Sequence, residues 1–244
     1  MIPKTIHYIW FGDKKTDIVN ICIRNWKDKL PDYDFIEWSE NNLPMDELFN
    51  SSDFFRICYE KKLWAYVSDY VRFYVLNKYG GIYIDTDITI NKSFDDLLYN
   101  DFFIGRECPN YIGTAVIGSI RNNFFLKNLI DFYNNDVLSS HLISSPQIVT
   151  HLIGENNARI KVYDESYFYP YYMGQDFSES LIKDTTYTIH WWGKSWISNK
   201  EMLFLKTKHL NTFDKLWFTP LYYVYIRMIS FFPFIRKIKR FITK

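Results

Sequence analysis

The stretch Ala65-Tyr66-Val67-Ser68-Asp69-Tyr70-Val71-Arg72, continued by Leu76 and then Gly80-Gly81-Ile82-Tyr83-Ile84-Asp85-Thr86-Asp87, reads as a helix stopped by a glycine pair and followed by a short apolar strand. On a helix, Ala65, Asp69 and Arg72 fall at i, i+4 and i+7 and share one face, while Val67, Val71, Tyr74 and Val75 supply a separate apolar stripe for a sheet. Alone, Asp69 and Arg72 fit an ordinary solvated i,i+3 ion pair worth about 0.3 kcal/mol. Asp85 and Asp87 change that weighting. At alternate positions of a strand both carboxylates face one side, and two like charges gathered behind an apolar strand are unfavourable unless a cation or donors neutralise them. A hard divalent ion with oxygen ligands, Mn²⁺ or Mg²⁺, meets that need. Ligands of open α/β sheets also sit beyond the carboxyl ends of strands.

Working outward, residues 2–10 alternate as a first strand with Ile6, Tyr8 and Trp10 on one side, and residues 17–29 read as a helix with Ile18, Ile21, Cys22 and Asn25/Trp26 on its inner face. Residues 33–38 read as a second strand, and one long helix is expected from about Phe54 to Lys78. Further strands are expected over 102–105, 115–119, 159–163 and 186–190, with helices over 123–134 and 146–153. Strands alternating with helices predict an α/β fold with a mostly parallel central sheet covered on both faces.

The chain has 244 residues, one in five aromatic, and a formal net charge of +1. That length suits one large α/β domain with at most an appendage. Near-neutral charge argues against a nucleic-acid partner. The total hides an asymmetry: after Asp214 seven Lys and Arg and no acid follow, so residues 1–214 form an acidic body and 215–244 a basic, aromatic tail. Phe234, Ile238, Phe241 and Ile242 fall on one helical face with Arg236, Lys237, Lys239, Arg240 and Lys244 around the remainder, the pattern of an amphipathic helix on an anionic membrane surface. Arg227 and the prolines at 220 and 233 argue against a spanning helix there. Lys4 and His7 interrupt the apolar run that a signal peptide needs. Cys22, Cys58 and Cys108 have no metal or redox spacing and read as reduced thiols. The expected location is cytoplasmic, peripheral on the inner face of the cell membrane.

Asp85-Thr86-Asp87-Ile88-Thr89 also fits the pattern of haloacid-dehalogenase-type phosphatases, with Asp85 as nucleophile, Asp87 as general acid and Lys161 or Lys183 as the downstream lysine. No late acidic pair for Mg²⁺ follows, which leaves that reading second. A non-enzymatic, membrane-bound glycan-binding module is the other alternative.

Ile2-Pro3-Lys4-Thr5-Ile6-His7 with Trp10-Phe11-Gly12, Ser68-Asp69-Tyr70-Val71-Arg72, and Gly80-Gly81-Ile82-Tyr83-Ile84-Asp85-Thr86-Asp87 together resemble glycosyltransferase family 32, which shares its core with the clostridial glucosylating toxins. The resemblance covers roughly residues 1–90 in order. It implies a GT-A fold, a Rossmann-like nucleotide-sugar-binding domain, together with a UDP-sugar donor, Mn²⁺ or Mg²⁺, and retention of anomeric configuration. It implies metal ligation by Asp85 and Asp87, donor-sugar binding by Asp69 and Arg72, a place for Tyr83 beside the nucleotide or sugar, and base stacking on Trp10. Ser144-Ser145-Pro146-Gln147-Ile148-Val149-Thr150 resembles the family's Gly-Pro-x-x-x-Thr segment, with Ser145 at the glycine position. His190-Trp191-Trp192-Gly193-Lys194-Ser195-Trp196 resembles the late His…Ser-Trp motif, which implies His190 as third metal ligand and Lys194, Ser195 and Trp196 near the diphosphate. The function implied is transfer of a hexose, galactose favoured, to a lipid-linked oligosaccharide or polysaccharide in bacterial surface-glycan (capsule) synthesis. Asn110–Ala115 occupies the acceptor region without assignable contacts.

Overall fold

A computed structural model describes residues 1–12, 14–142, 144–154, 160–193 and 212–231, with side chains of the last segment limited to 213–224. In chain order the elements are β1 (Thr5–Ile9), α1 (Asp17–Lys29), β2 (Asp34–Trp38), α2 (Met45–Ser51), α3 (Asp53–Glu60), α4 (Trp64–Tyr79), β3 (Gly81–Ile84), β4 (Ile88–Ile90), β5 (Phe102–Cys108), β6 (Tyr111–Ser119), α5 (Phe124–Asn135), α6 (Ser145–Ile153), β7 (Lys161–Tyr163), α7 (Glu165–Phe168), β8 (Thr188–His190) and α8 (Thr212–Phe231).

The main sheet has the order β2-β1-β3-β6-β5-β7, and a two-stranded ribbon pairs β4 with β8. β1 runs parallel to β2 and β3, and β7 parallel to β5, whereas β6 is antiparallel to both of its neighbours. The two faces are covered by different layers. On one, Ile9, Phe11, Tyr83, Ile104 and Ile117 pack with apolar residues of α3, α4, α5 and α6. On the other, Ile6, Tyr8, Ile82, Ile84 and Val116 pack with Cys22 and Trp26 of α1, β4 and Phe168. The period of two along β3 therefore sends Ile82 and Ile84 one way and Tyr83 the other.

The glycine pair does more than end α4. Gly81 sits at φ +109, and a Cβ there would meet Thr5 O at 2.7 Å and His7 Nε2 at 2.8 Å. Only a residue without a side chain lets β3 lie this close to β1. His7 is fully buried beside it, with Nε2 2.7 Å from Gly80 O and Nδ1 accepting from Trp38 Nε1 at 3.0 Å. Burial pushes its pKa down to about 4, so the ring is neutral and donates through Nε2.

Three expectations need correction. The long helix over 54–78 is two, α3 and α4, separated where Lys62 takes φ +56; no glycine or proline announces that break. The inner face of α1 is Val19, Cys22 and Trp26, with Ile18 and Ile21 exposed. The rotation follows from β4, because Trp26 Nε1 donates to Ile88 O at 2.6 Å and the Asn25 amide bonds the Ile90 backbone in both directions. Asp85 and Asp87 do not alternate along a strand. β3 ends at Ile84, and the two aspartates flank a turn in which Ile88 N–H donates to Asp85 O at 3.3 Å.

α8 runs continuously across residue 214, where the sequence reading divides the chain, and carries Pro220 inside it. Leu216, Trp217 and Leu221 are exposed and Tyr222 is buried. Among the described residues no helix is long and apolar enough to cross a membrane. The amphipathic stretch 234–242 lies outside the described residues, as do Lys194, Ser195 and Trp196.

Candidate active site

A cavity of about 300 Å³ opens at the edge of the sheet where β1, β3 and β5 end and β6 begins. Its floor holds Asp69, Arg72, Tyr83, Asp85 and Asp87; one wall is Ile9, Phe11, Trp64 and Ala65, and the other includes Glu107, Thr114, Ser145, Pro146, Met173, His190 and Gly193. The structure thus gathers at one place the helix pair, the DxD turn and the late histidine.

Asp69 and Arg72 are a buried pair, not a solvated one. Arg72 Nη2 lies 2.9 Å from Asp69 Oδ1 and 3.3 Å from Asp85 Oδ1. Its Nη1 donates to Thr114 O at 2.8 Å and to Thr114 Oγ1 at 3.1 Å, and its Nε donates to Ser68 O at 3.3 Å. The guanidinium carbon also lies 4.6 Å from the centre of the Tyr83 ring, within cation–π range. Burial works against the charge on Arg72, but Asp85, Tyr83 and Asp69 outweigh it and raise its pKa. Burial pushes the Asp69 carboxyl up, opposed by Arg72 and Ser145. Tyr83 is fully buried, and its hydroxyl donates to Asp85 Oδ1 at 2.6 Å. It fixes Asp85 from below.

Asp87 and His190 meet through the ribbon. Ile88 pairs with His190, and Trp191 N–H donates to Asp87 O at 2.9 Å. This register leaves His190 Nε2 3.1 Å from Asp87 Oδ1, while Gly193 N–H donates to Asp87 Oδ2 at 2.7 Å. Burial would raise Asp87, but the bond and charge of His190 and the Gly193 N–H hold it below its ordinary value. Burial would lower His190, yet Asp87, Asp85 and Glu107 raise it.

One potential ligand atom from each of Asp85, Asp87 and His190 lies within 4.8 Å of the others. The His190 Nδ1 atom is buried and without a hydrogen-bond partner among the described residues. Two carboxylates and an imidazole with spare capacity suit Mn²⁺ or Mg²⁺.

Trp10 is buried but does not line the cavity. The flat surface there is Phe11 with Trp64, whose rings stack at 5.4 Å and 17°. Lys161 and Lys183 are exposed and neither lines the cavity, so neither serves the phosphatase reading.

Two lining residues, Thr114 and Glu107, carry no role in the sequence reading, and Ser145, marked there only as standing at the glycine position of its segment, joins them. Ser145 Oγ donates to Asp69 Oδ1 at 2.7 Å and lies 2.7 Å from Thr114 Oγ1. The available signal was Ser144-Ser145-Pro146, a helix start. Ser144 caps α6, its N–H donating to Gln147 Oε1 at 3.1 Å, and the first turn presents Ser145 to the site.

The arrangement is that of a GT-A glycosyltransferase fold. The galactosyltransferase LgtC is similar at TM-score 0.50 and 10% identity, over 79% of this chain and 88% of that one. GlyE of Streptococcus pneumoniae is similar at TM-score 0.51 and 10% identity, over 90% of this chain and 64% of that one. Residues 16–104 match the family described as glycosyltransferase sugar-binding region containing DXD motif. Inositol phosphoceramide mannosyltransferase 3 of Schizosaccharomyces pombe is 29% identical over 136 residues, 53% of this chain and 36% of that protein. Mannosyl phosphorylinositol ceramide synthase CSH1 of Saccharomyces cerevisiae is 31% identical over 52% of this chain and 34% of its own length. The chain thus spans about a third of the length of these fungal relatives. A mimivirus protein called uncharacterized glycosyltransferase L373 is 25% identical over 86% of this chain and 90% of its own.

Proposed function

We propose that the protein is a metal-dependent glycosyltransferase that moves a hexose from a nucleoside-diphosphate sugar to a hydroxyl-bearing acceptor. The observation that carries this reading is the Asp85–Asp87–His190 cluster at the carboxyl end of β3, on the floor of a cavity with an aromatic wall. A divalent ion held by these three residues would neutralise the diphosphate as it leaves. The base would stack on Phe11 and Trp64, and Asp69, held by Arg72 and Ser145, would fix the sugar hydroxyls. Arg72 brings positive charge to the floor while holding both Asp69 and Asp85. The donor is taken as a UDP-sugar with galactose favoured, and the transfer as retaining by same-face displacement, from the resemblance to family 32. The names of the fungal relatives favour mannose as the second reading.

The acceptor proposed is a lipid-linked oligosaccharide or polysaccharide of a bacterial surface glycan. The basic tail would hold the enzyme, from the cytoplasmic side, on the anionic membrane that carries it. Flotation with phosphatidylglycerol-containing vesicles should carry the full chain upward at low salt, and full-length protein remaining at the bottom refutes the anchor. The reaction itself is tested by screening UDP- and GDP-sugars with Mn²⁺ for nucleotide release. Metal-dependent turnover of one donor is expected. Release of phosphate from phosphomonoesters with no sugar-nucleotide turnover would overturn the reading.

A further inference from the structure

Glu107 is the one acidic residue lining the cavity that has no hydrogen bond or ion pair among the described residues. Asp69 is held by Arg72 and Ser145, Asp85 by Tyr83 and Arg72, and Asp87 by His190 and Gly193. Glu107 is half-buried, and neither of its carboxylate oxygens is among the buried side-chain atoms left without a partner, so both stay open to water or to a ligand's donors.

Its position is built by an irregularity in the sheet. Arg106 pairs with Ile112 and Cys108 with Tyr111, with a register shift between them, so Glu107 is the extra residue of a bulge and has no cross-strand partner. Bulges turn side chains out of the ladder and recur beside active sites. Here the bulge delivers a carboxylate into the cavity instead of onto the face of the sheet.

The strand order then says which end of the ligand Glu107 meets. β1, with the aromatic wall after it, is separated from β5 by β3 and β6. That is three strand spacings, about 14 Å. The Asp85–Asp87 turn follows β3 and lies between the two. A donor with its base at Phe11 and Trp64 and its diphosphate at the aspartates would point its sugar toward β6 and β5, which would leave Glu107 on the far side of that sugar.

We propose that Glu107 is an acceptor-binding residue whose carboxylate receives hydrogen bonds from hydroxyl groups of a neutral sugar or polyol. The inference rests on the glycosyltransferase reading and supplies its acceptor side. A carboxylate is an acceptor only, and two of its lone-pair sites match a pair of neighbouring hydroxyls. Asp69, Asp85, Asp87 and Glu107 outnumber Arg72 and His190 on the lining, so the charge around the acceptor end stays negative beside a bound metal–diphosphate. It disfavours an acceptor whose receiving ring carries a phosphate.

The test compares the wild-type protein with Glu107→Gln and Glu107→Ala. Using the donor found active, transfer is measured to methyl galactoside, methyl mannoside and myo-inositol, and to galactose 6-phosphate and mannose 6-phosphate. UDP or GDP binding with Mn²⁺ is measured in parallel. Wild-type protein should use at least one neutral acceptor and discriminate against the phosphorylated ones. Glu107→Ala should raise the acceptor KM about tenfold or more with nucleotide Kd within about twofold, and Glu107→Gln should shrink the neutral-over-phosphate preference by a similar factor. An unchanged acceptor KM in both variants, or loss of nucleotide binding in step with transfer, overturns the assignment. So does donor hydrolysis by the wild type without transfer to any neutral acceptor. A wild-type protein that binds and turns over no sugar nucleotide sinks the glycosyltransferase reading itself, a failure visible before any variant is compared.

Discussion

The two halves of the cavity floor are built on opposite plans. In the Asp69–Arg72 half, the Arg72 donors go to Ser68, Thr114, Asp69 and Asp85, and Asp69 Oδ1 takes both Arg72 and Ser145. In the Asp85–Asp87–His190 half, two carboxylates and an imidazole converge while His190 Nδ1 is left without a partner among the described residues. One half is closed by the protein's own groups and the other keeps room for a ligand. A satisfied polar network rigidifies its surroundings, whereas an incomplete one invites what completes it. Stability and metal binding should therefore separate along this line.

Arg72→Ala offers the largest test. It leaves Asp69 and Asp85 without their counter-charge, and breaking a buried pair from one side costs about 3–5 kcal/mol. Urea denaturation should show that loss, and Arg72→Lys should recover only part because one ammonium cannot make the forked contacts. A variant as stable as the parent would show that the network is not closed. Asp87→Asn should behave in the opposite way, with metal-dependent turnover falling by about 10²–10³-fold and stability changing by about 1 kcal/mol or less. Isothermal titration with Mn²⁺ is the check, and undiminished binding would remove Asp87 from the ligand set.

His7, under the same sheet but away from the opening, provides a control of similar size. Burial holds its pKa down at about 4, against about 6.5 for an imidazole in water. The unfolded chain takes up the proton first as pH falls. Stability is thus fully present above about pH 6.5 and is lost down to about pH 4, by about 3 kcal/mol in total. Denaturation midpoints across that window should flatten in His7→Gln, and an unchanged slope would remove His7 as the cause. Ser145→Ala gives the smallest effect. Asp69 loses one of two donors, a change of about 1–1.5 kcal/mol, expected as a roughly tenfold rise in donor KM with kcat little affected. A fall in kcat alone would place Ser145 nearer the reacting bond than its hydroxyl geometry suggests.

The sequence made much of this readable where the cause was local. Residues 17–29 are helical as expected, and the glycine pair ends α4 and starts β3. Asp69 and Arg72 share a face because a helix has a fixed period, and that face lines the cavity. What escaped was set by partners distant in the chain. The turn between β3 and β4 owes its shape to Trp26, Asn25 and the ribbon, none of which the dipeptide pattern around Asp85 encodes. Glu107 depends on a bulge, and Thr114 on its pairing with both Arg72 and Ser145. The aromatic wall is Phe11 and Trp64 instead of Trp10, because past the end of β1 Ile9 and Phe11 face the cavity and Trp10 does not.

The β4–β8 ribbon has a consequence in time. It joins residues as far apart as Asp87 and Gly193, 106 positions along the chain, through strands of three residues each. Closing so long a loop costs on the order of 4 kcal/mol in chain entropy, and few bonds reward it. Contacts of high sequence separation form late. A nascent chain can therefore hold its first three parallel strands and its Asp69–Arg72 helix while Asp87 still lacks His190. Compactness precedes competence, and His190 reaches Asp87 last.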